Sequence, residues 1–315
     1  MALFNSKNKE ERELGFGSKN YNNRVRFLDR NGQVNVHRAG MGVGNIDIYH
    51  WLITTSKINL VLVIISSYIF VNLIFAIVYY IIGTNCFGGL DSEMPFQQFM
   101  NLFFFSAQTI TTLGYGHIYP IGNAASIAAA VESLLGLLTF ALATGVLYGR
   151  FSRPQAHLLY SKNMLISPYK TTTAFMFRIA NRKQYELIEA EASVTITLNN
   201  PETNRREFFN LKLEINRINF LALTWTLVHP LEEDSPLFGL SKKELETRDV
   251  EFIILIKAIN DTYSQTVYSR NSYKAEDIVE KAKFKPLNPN ANKKGRVELV
   301  VTHIHHYDYV DAPSK

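Results

Sequence analysis

The sequence predicts a membrane α-helical domain joined to a C-terminal all-β sandwich, and three observations carry that prediction. Two apolar runs, Ile58–Ile82 and Ala124–Gly149, stand out from more polar surroundings. The first holds 25 residues, about 38 Å of helix at 1.5 Å each, against a hydrocarbon core of roughly 30 Å. Between the runs lies a shorter segment interrupted by glycines. Beyond Pro154 the apolar period shifts from 3.6 toward 2, the alternation of strands. The chain of 315 residues thus divides into an arm (1–44), an interfacial helix (45–56), a membrane domain (57–153) and a sandwich (154–315).

Residues 1–44 are charged, glycine-dotted and without clear periodicity, so they read as a largely irregular arm. They also lack the compact apolar core of a secretory signal. In 45–56 a helix would place Ile46, Tyr49 and Ile53 on one face, with Trp51 and Lys57 suited to the headgroup level. This segment either lies along the inner leaflet or forms the first turns of the following span. The outer span covers 58–82. No Lys or Arg occurs between Lys57 and Arg150. The positive-inside rule therefore puts both termini in the cytoplasm and the Gly83–Pro95 and His117–Asn123 loops outside. That placement also explains the net charge of +5 without nucleic acid. The single cysteine, Cys86, cannot form an intrachain disulfide.

Pro95 suits the first turn of a helix running over 95–109, and about 15 residues span only about 22 Å, too little to cross. A helix that enters the membrane and gives way to Thr111-Thr112-Leu113-Gly114-Tyr115-Gly116 makes a re-entrant loop. Irregular backbone at that depth is tolerated only where protein buries it or where it lines an aqueous path. Glycines at alternate positions allow left-handed dihedrals that aim consecutive carbonyls the same way. Four copies around an axis would then offer carbonyl rings able to replace the hydration shell of potassium, at Thr112, Leu113, Gly114 and Tyr115. The Thr112 hydroxyl would be the innermost ligand and Tyr115 an outward-packing cuff. Thr112-Leu113-Gly114-Tyr115-Gly116 resembles the potassium-channel filter signature, with Leu113 in the apolar slot.

The inner span covers 124–150 and contains Glu132, an ionisable group costly in lipid. It is expected to face a cavity or to pair with polar groups such as Gln108, and a purely structural role stays open. Gly136 and Gly145 would permit bending or close helix packing, packing being the safer reading. Phe140 and Tyr148, eight residues apart, share a face that would close the path if it lines it, or touch lipid if it does not. Lys57, Arg150 and Arg153 satisfy topology and would also bind anionic lipid.

Seven strands are expected in the sandwich: Ala174–Ile179, Leu187–Leu198, Phe208–Ile215, Leu221–Val228, Val250–Ile259, Ser264–Tyr273 and Val297–Tyr307. In the last, His303 and His305 would share a face and His306 point away, an arrangement that fits surface or interface histidines better than a metal site. Beyond Arg150 there is no glycine-rich phosphate loop, metal spacing or nucleophile motif, which leaves an enzyme little support. A membrane-anchored binding module that does not conduct is the alternative from another class.

Several further motifs narrow the resemblance. Asp47-Ile48-Tyr49-His50-Trp51-Leu52, Arg150-Phe151-Ser152-Arg153-Pro154, Phe177-Arg178-Ile179-Ala180-Asn181-Arg182 and Thr226-Leu227-Val228-His229-Pro230-Leu231 resemble signatures of prokaryotic inward-rectifier potassium channels, over roughly residues 35–312. The resemblance implies a homotetramer in a bacterial plasma membrane, with slide, outer, pore and inner helices and an immunoglobulin-like cytoplasmic domain extending the pore. It implies no cofactor beyond the permeant K+, a gate at the inner-helix ends coupled through Arg150–Pro154, and membrane lipids, including anionic phosphoinositides, as partners. Glu189 and Asp261 would be cytoplasmic-pore acids that hold magnesium or polyamine blockers, Asp261 beside a narrow loop at about Asn260–Thr266. Three departures follow. Phe140 stands where strong rectifiers carry an acid, Gln108 and Ile118 replace the ion pair that braces the filter of animal members, and Cys86 lacks its partner. Thr111 and Gln108 are the expected filter braces.

Overall fold

The computed structural model describes residues 26, 28, 29, 32, 33, 35, 47–90, 93–152, 156–183, 185–202, 206–287, 290–291, 297–298 and 300–310. The chain forms two compact units, Ala39–Arg153 and a second made of Met1–Arg38 with Pro154–Lys315.

The first unit is helical. Helix α1 (Ile48–Thr54) starts where the Asp47 carboxylate accepts from the His50 N–H, an ordinary N-cap. Thr55 and Ser56 are extended, so α1 is a helix of its own rather than the first turns of the span. Ser56 then caps α2 (Lys57–Ile82), 26 residues long and apolar enough to cross a membrane. Strand β1 (Phe87–Gly88) leads to α3 (Pro95–Ile110), which has proline at its first turn. Strand β2 (Tyr119–Pro120) pairs antiparallel with β1 and bridges the loops at the two ends of α3. Helix α4 (Asn123–Phe151) is the second span, at 29 residues. The three long helices meet around Tyr79, Phe87, Leu102, Phe105 and Ala125. Tyr79, Phe87 and Phe105 form a triangle of edge-on rings with centroids 5.2–5.5 Å apart, a geometry that aromatic quadrupoles favour.

In the second unit the strands in chain order are β3 (Leu158–Tyr160), β4 (Met164–Tyr169), β5 (Thr172–Asn181), β6 (Leu187–Asn199), β7 (Arg206–Leu211), β8 (Arg217–Phe220) and β9 (Thr224–Pro230). Helix α5 (Lys242–Thr247) follows, then β10 (Glu251–Asn260), β11 (Gln265–Lys274), β12 (Ile278–Glu280), β13 (Ala282–Phe284), β14 (Asn290–Ala291), β15 (Val297–Glu298) and β16 (Tyr307–Tyr309). One sheet runs β11-β10-β6-β7, with β8 also on β6. The other runs β12-β4-β5-β3, with β9 on β5. Their inner faces share one apolar core, including Phe175, Phe177 and Ile179 from one sheet and Ile196, Phe252 and Ile254 from the other.

Several expectations are corrected here. Val297–Tyr307 is not one strand: β15 is followed by a 3-10 helix, Val301–His305, before β16 begins. Ile304 is the residue this turn buries completely. Phe208–Ile215 ends as a strand at Leu211, and Leu221–Val228 begins only at Thr224, with β8 between them. The arm of residues 1–44 is not simply irregular. Leu28 is buried against Ile253 and Phe208. Its N–H reaches Glu251 Oε1 at 3.3 Å, and its carbonyl accepts from the Ser272 hydroxyl at 3.0 Å. Arg26 Nη2 bonds Glu276 at 2.8 Å and Asp277 at 2.5 Å. The described arm residues therefore complete the edge of the β10–β11 sheet.

Candidate functional site

The glycine segment hangs from the C-terminal end of α3. The last carbonyls of any helix lack partners within it, and here the free Gln108 carbonyl accepts from the N–H groups of Leu113 at 2.9 Å and Gly114 at 3.2 Å. Thr112 donates to the Thr109 carbonyl at 3.0 Å. The φ angles are +57° at Thr112, +54° at Gly114 and +81° at Gly116, with no positive φ at Leu113 or Tyr115. Handedness therefore alternates residue by residue. Among the described residues of this chain nothing lies within 4 Å of a Cβ built on Gly114 or Gly116, and the left-handed dihedral by itself calls for glycine. Thr112 takes the same region with a side chain, which costs about 1–2 kcal/mol. The Leu113 and Tyr115 side chains are exposed.

Of the two expected braces, Gln108 anchors the segment within this chain and Thr111 bonds within α3. The Thr111 hydroxyl donates to the Ala107 carbonyl at 2.7 Å, which secures the last turn of α3 rather than the segment beyond it. Gln108 serves through its backbone carbonyl. Ile118 packs on the Tyr79–Phe105 cluster.

Glu132 does not pair with Gln108. It is fully buried and joins Tyr79, which donates to Oε2, and Ser106, whose hydroxyl meets Oε1. Ser106 also lies 2.9 Å from Asn72 Oδ1, and Asn72 Nδ2 donates to the Tyr68 carbonyl at 2.7 Å. These polar groups from α2, α3 and α4 are all buried. A carboxyl in this setting is retained only with every hydrogen bond made. Four residues further along α4, a Cβ on Gly136 would stand 2.2 Å from the Ile110 carbonyl oxygen. Glu132 and Gly136 thus face Ser106 and Ile110, one turn matched to one turn, and Gly136 is a packing glycine. A Cβ built on Gly145 would meet no atom of another element within 4 Å among the described residues.

Phe140 and Tyr148 are exposed on α4. Near its end, Tyr49 of α1 brings its hydroxyl within 2.8 Å of a Cβ position on Gly149. Lys57 is exposed at the start of α2. Arg150 occupies the last turn of α4, where a cation suits the helix dipole, and its Nη1 is buried without a hydrogen bond. Arg153 lies outside the described residues.

In the sandwich, Glu189 sits at a bulge in β6, where the pairing with β10 shifts register, and has φ +49°. Its exposed carboxylate pairs with Arg217 at 3.2 Å. Asp261 is exposed in the turn that links β10 to β11, its N–H on the Glu186 carbonyl at 3.2 Å. The histidines depart from expectation: His303 and His306 stack with centroids 4.9 Å apart, and His305 Nδ1 accepts from the Lys162 N–H at 3.2 Å. Burial lowers the His305 pKa, helped by Lys162 and His306. Among the described residues no cluster of histidine, cysteine and acidic groups could hold a metal.

Tyr79, Ser106 and Asn72 belong to no motif that the sequence makes recognisable. Their signal was present as three polar side chains placed inside segments otherwise fit for lipid or for a buried helix.

Comparison with known proteins bears on this arrangement. Residues 158–315 match the family described as inward rectifier potassium channel C-terminal domain, and residues 63–153 match the ion channel family. The inward rectifier potassium channel Kirbac3.1 of Paramagnetospirillum magnetotacticum is 31% identical over 81% of this chain and 86% of its own length. Inward rectifier potassium channel 4 of Homo sapiens is 25% identical over 84% of this chain and 68% of its own length. The human ATP-sensitive inward rectifier potassium channel 12 is 26% identical over 90% and 70%. With two spans, a glycine segment hung between them and a β domain matched along its length, the chain belongs to the inward rectifier potassium channel family, a family of ion channels rather than enzymes.

Proposed function

We propose that four copies of this inward rectifier potassium channel surround a single path and conduct K+ passively, with the carbonyls of Thr112, Leu113, Gly114 and Tyr115 and the Thr112 hydroxyl replacing the ion's water. The observation that supports this most is the alternation of left-handed dihedrals at Thr112, Gly114 and Gly116, in a segment anchored to the end of a short helix between two spans. Such alternation turns successive carbonyls to one side, and closely spaced carbonyl dipoles favour a dehydrated cation while allowing it to leave.

The surrounding parts take consistent roles. The path is gated at the inner-helix ends near Tyr148, and Phe140, two turns deeper in α4, is a second large group able to close it by dewetting. Both termini lie in the cytoplasm of a bacterial cell, with the spans in its inner membrane. Lys57 and Arg150 meet anionic lipid headgroups, phosphoinositides included, each gaining about 1 kcal/mol from an anionic leaflet. Glu189 and Asp261 draw cations, magnesium and polyamines among them, toward the cytoplasmic mouth, and the Arg217 partner weakens the field at Glu189.

The test is cation flux from the purified protein in liposomes, with and without phosphoinositide. K+ is expected to permeate far better than Na+, and Gly114→Ala or Gly116→Ala to abolish flux or selectivity. Equal K+ and Na+ permeation would refute the proposal, as would wild-type selectivity in both glycine variants.

A further inference from the structure

The buried cluster behind the glycine segment fixes its own proton count. Asn72 Nδ2 lies 2.7 Å from the Tyr68 carbonyl, and a peptide carbonyl can only accept, so the amide cannot be flipped. Asn72 Oδ1 therefore faces the Ser106 hydroxyl 2.9 Å away. An amide oxygen has no proton, so Ser106 must donate to it. A serine hydroxyl has one proton. With that proton committed to Asn72, Ser106 has only lone pairs left for Glu132 Oε1, with which it is also in hydrogen-bond contact. Tyr79 supplies no proton there, because its hydroxyl is on Oε2. The contact between Ser106 and Glu132 is attractive only if Oε1 carries the hydrogen.

We infer that Glu132 is a neutral carboxylic acid that donates to Ser106, closing a one-directional chain in which Tyr79 donates to Glu132, Glu132 to Ser106 and Ser106 to Asn72. Every member is fully buried, and the chain leaves no donor or acceptor facing its own kind. An ionised Glu132 would take the Ser106 proton and set Asn72 Oδ1 against a bare hydroxyl oxygen, in a medium where an uncompensated charge is costly.

Glu132 acts here as a positioning residue. Ser106 and Ile110 of α3 are the two points held by Glu132 and Gly136 of α4. Between them lies Gln108, whose carbonyl anchors Leu113 and Gly114. Holding both flanks of Gln108 fixes the direction of that carbonyl, and with it the start of the glycine segment. This goes beyond the conduction proposal, and its spectroscopic test stands whether or not the flux is selective.

The experiment is infrared spectroscopy of the full-length protein in lipid at neutral pH, with unlabelled and 13C-glutamate samples, beside liposome flux. A protonated-carboxyl carbonyl band that moves with the label and is missing from Glu132→Gln is expected. In Tyr79→Phe the band is expected to persist at higher frequency, having lost the hydrogen bond to Oε2. Glu132→Gln, whose amide can donate to Ser106 and accept from Tyr79, should keep flux and K+ preference within about twofold. Glu132→Ala should lose about tenfold or more, the scale of leaving a buried hydrogen-bonding group unmade. The inference is overturned if the wild-type protein shows no label-sensitive carboxyl band, if Tyr79→Phe leaves that band unshifted, or if Glu132→Gln loses as much flux as Glu132→Ala.

Discussion

Replacing Gly136 by alanine adds one methyl group at the tightest point between the inner helix and the re-entrant helix. The added carbon would sit 2.2 Å from the Ile110 carbonyl oxygen, 2.9 Å from its Cγ1 and 3.0 Å from its carbonyl carbon, whereas ordinary contact begins near 3.4 Å. Two of the three neighbours are backbone, so no rotamer change relieves the overlap, and α4 must move from α3 by about 1 Å. Overpacking of this kind costs roughly 1–3 kcal/mol per chain. The displaced carbonyl is two residues from Thr112, so the strain falls on the segment with the reversed dihedrals. The expected result is a lower melting temperature in detergent together with reduced K+ flux or weakened preference for K+ over Na+. Gly145→Ala is the control: a Cβ there meets no described atom of its own chain within 4 Å, and alanine improves helix propensity by about 1 kcal/mol. If Gly136→Ala melts and conducts like the parent, the close-packing argument fails. If Gly145→Ala is the more damaging of the two, bending at Gly145 rather than packing at Gly136 governs the inner helix.

Two further outcomes are expected. Leu28→Ala empties a buried contact with Ile253 and Phe208 and should destabilise the β domain by about 2 kcal/mol, at the low end for a core leucine; an unchanged melting temperature would mean the arm is not part of the fold. His229 sits buried, with Nδ1 on the Lys212 carbonyl at 2.7 Å and Nε2 on the Ser235 hydroxyl at 2.8 Å, and burial lowers its pKa. The folded state resists protonating this ring, so its contribution is intact above the unfolded value of about 6.5 and is lost as pH falls below it. Melting temperature should therefore drop between pH 7 and pH 5, and less steeply in His229→Asn, with His305 adding a loss of the same sign. A parent and His229→Asn with the same slope would contradict this.

The large features of the fold are plain in the sequence because each rests on a long periodic signal. The two spans and the re-entrant helix announce themselves by composition, β6 by the alternation of Ala190, Ala192, Val194, Ile196 and Leu198 with polar neighbours, and β10 by the continuous apolar run Phe252–Ile256 of a strand buried on both faces. Short edge elements leave no such signal. The strands Leu158–Tyr160 and Ile278–Glu280 are three residues each, less than two periods of alternation. Val297–Tyr307 is rich in β-branched residues yet contains a helical turn that seats Ile304, burial of that side chain outweighing a weak strand preference. In the candidate site, the left-handed dihedrals at Gly114 and Gly116 follow from glycine spacing, while the one at Thr112 does not. The Gln108 anchor is a backbone carbonyl, which leaves no trace in residue identity. Glu132 stands out in sequence as costly in lipid, but its partners Tyr79 and Ser106 lie 53 and 26 residues away, a pairing that only the packing of three helices creates.

The docking of the arm has a consequence for how this protein is made. Arg26 emerges from the ribosome 250 residues before Glu276, its partner. At 5–20 residues per second that interval is roughly 12–50 s, during which both spans are synthesised and Leu28 has nowhere to bury itself. The β10–β11 edge, once made, likewise exposes Ile253 until the arm returns to it. Closure of that seam is therefore a late event in biogenesis, possible only after the whole membrane domain has been synthesised. A chain that stalls before the β10–β11 hairpin is complete leaves Leu28 without its seat against Ile253.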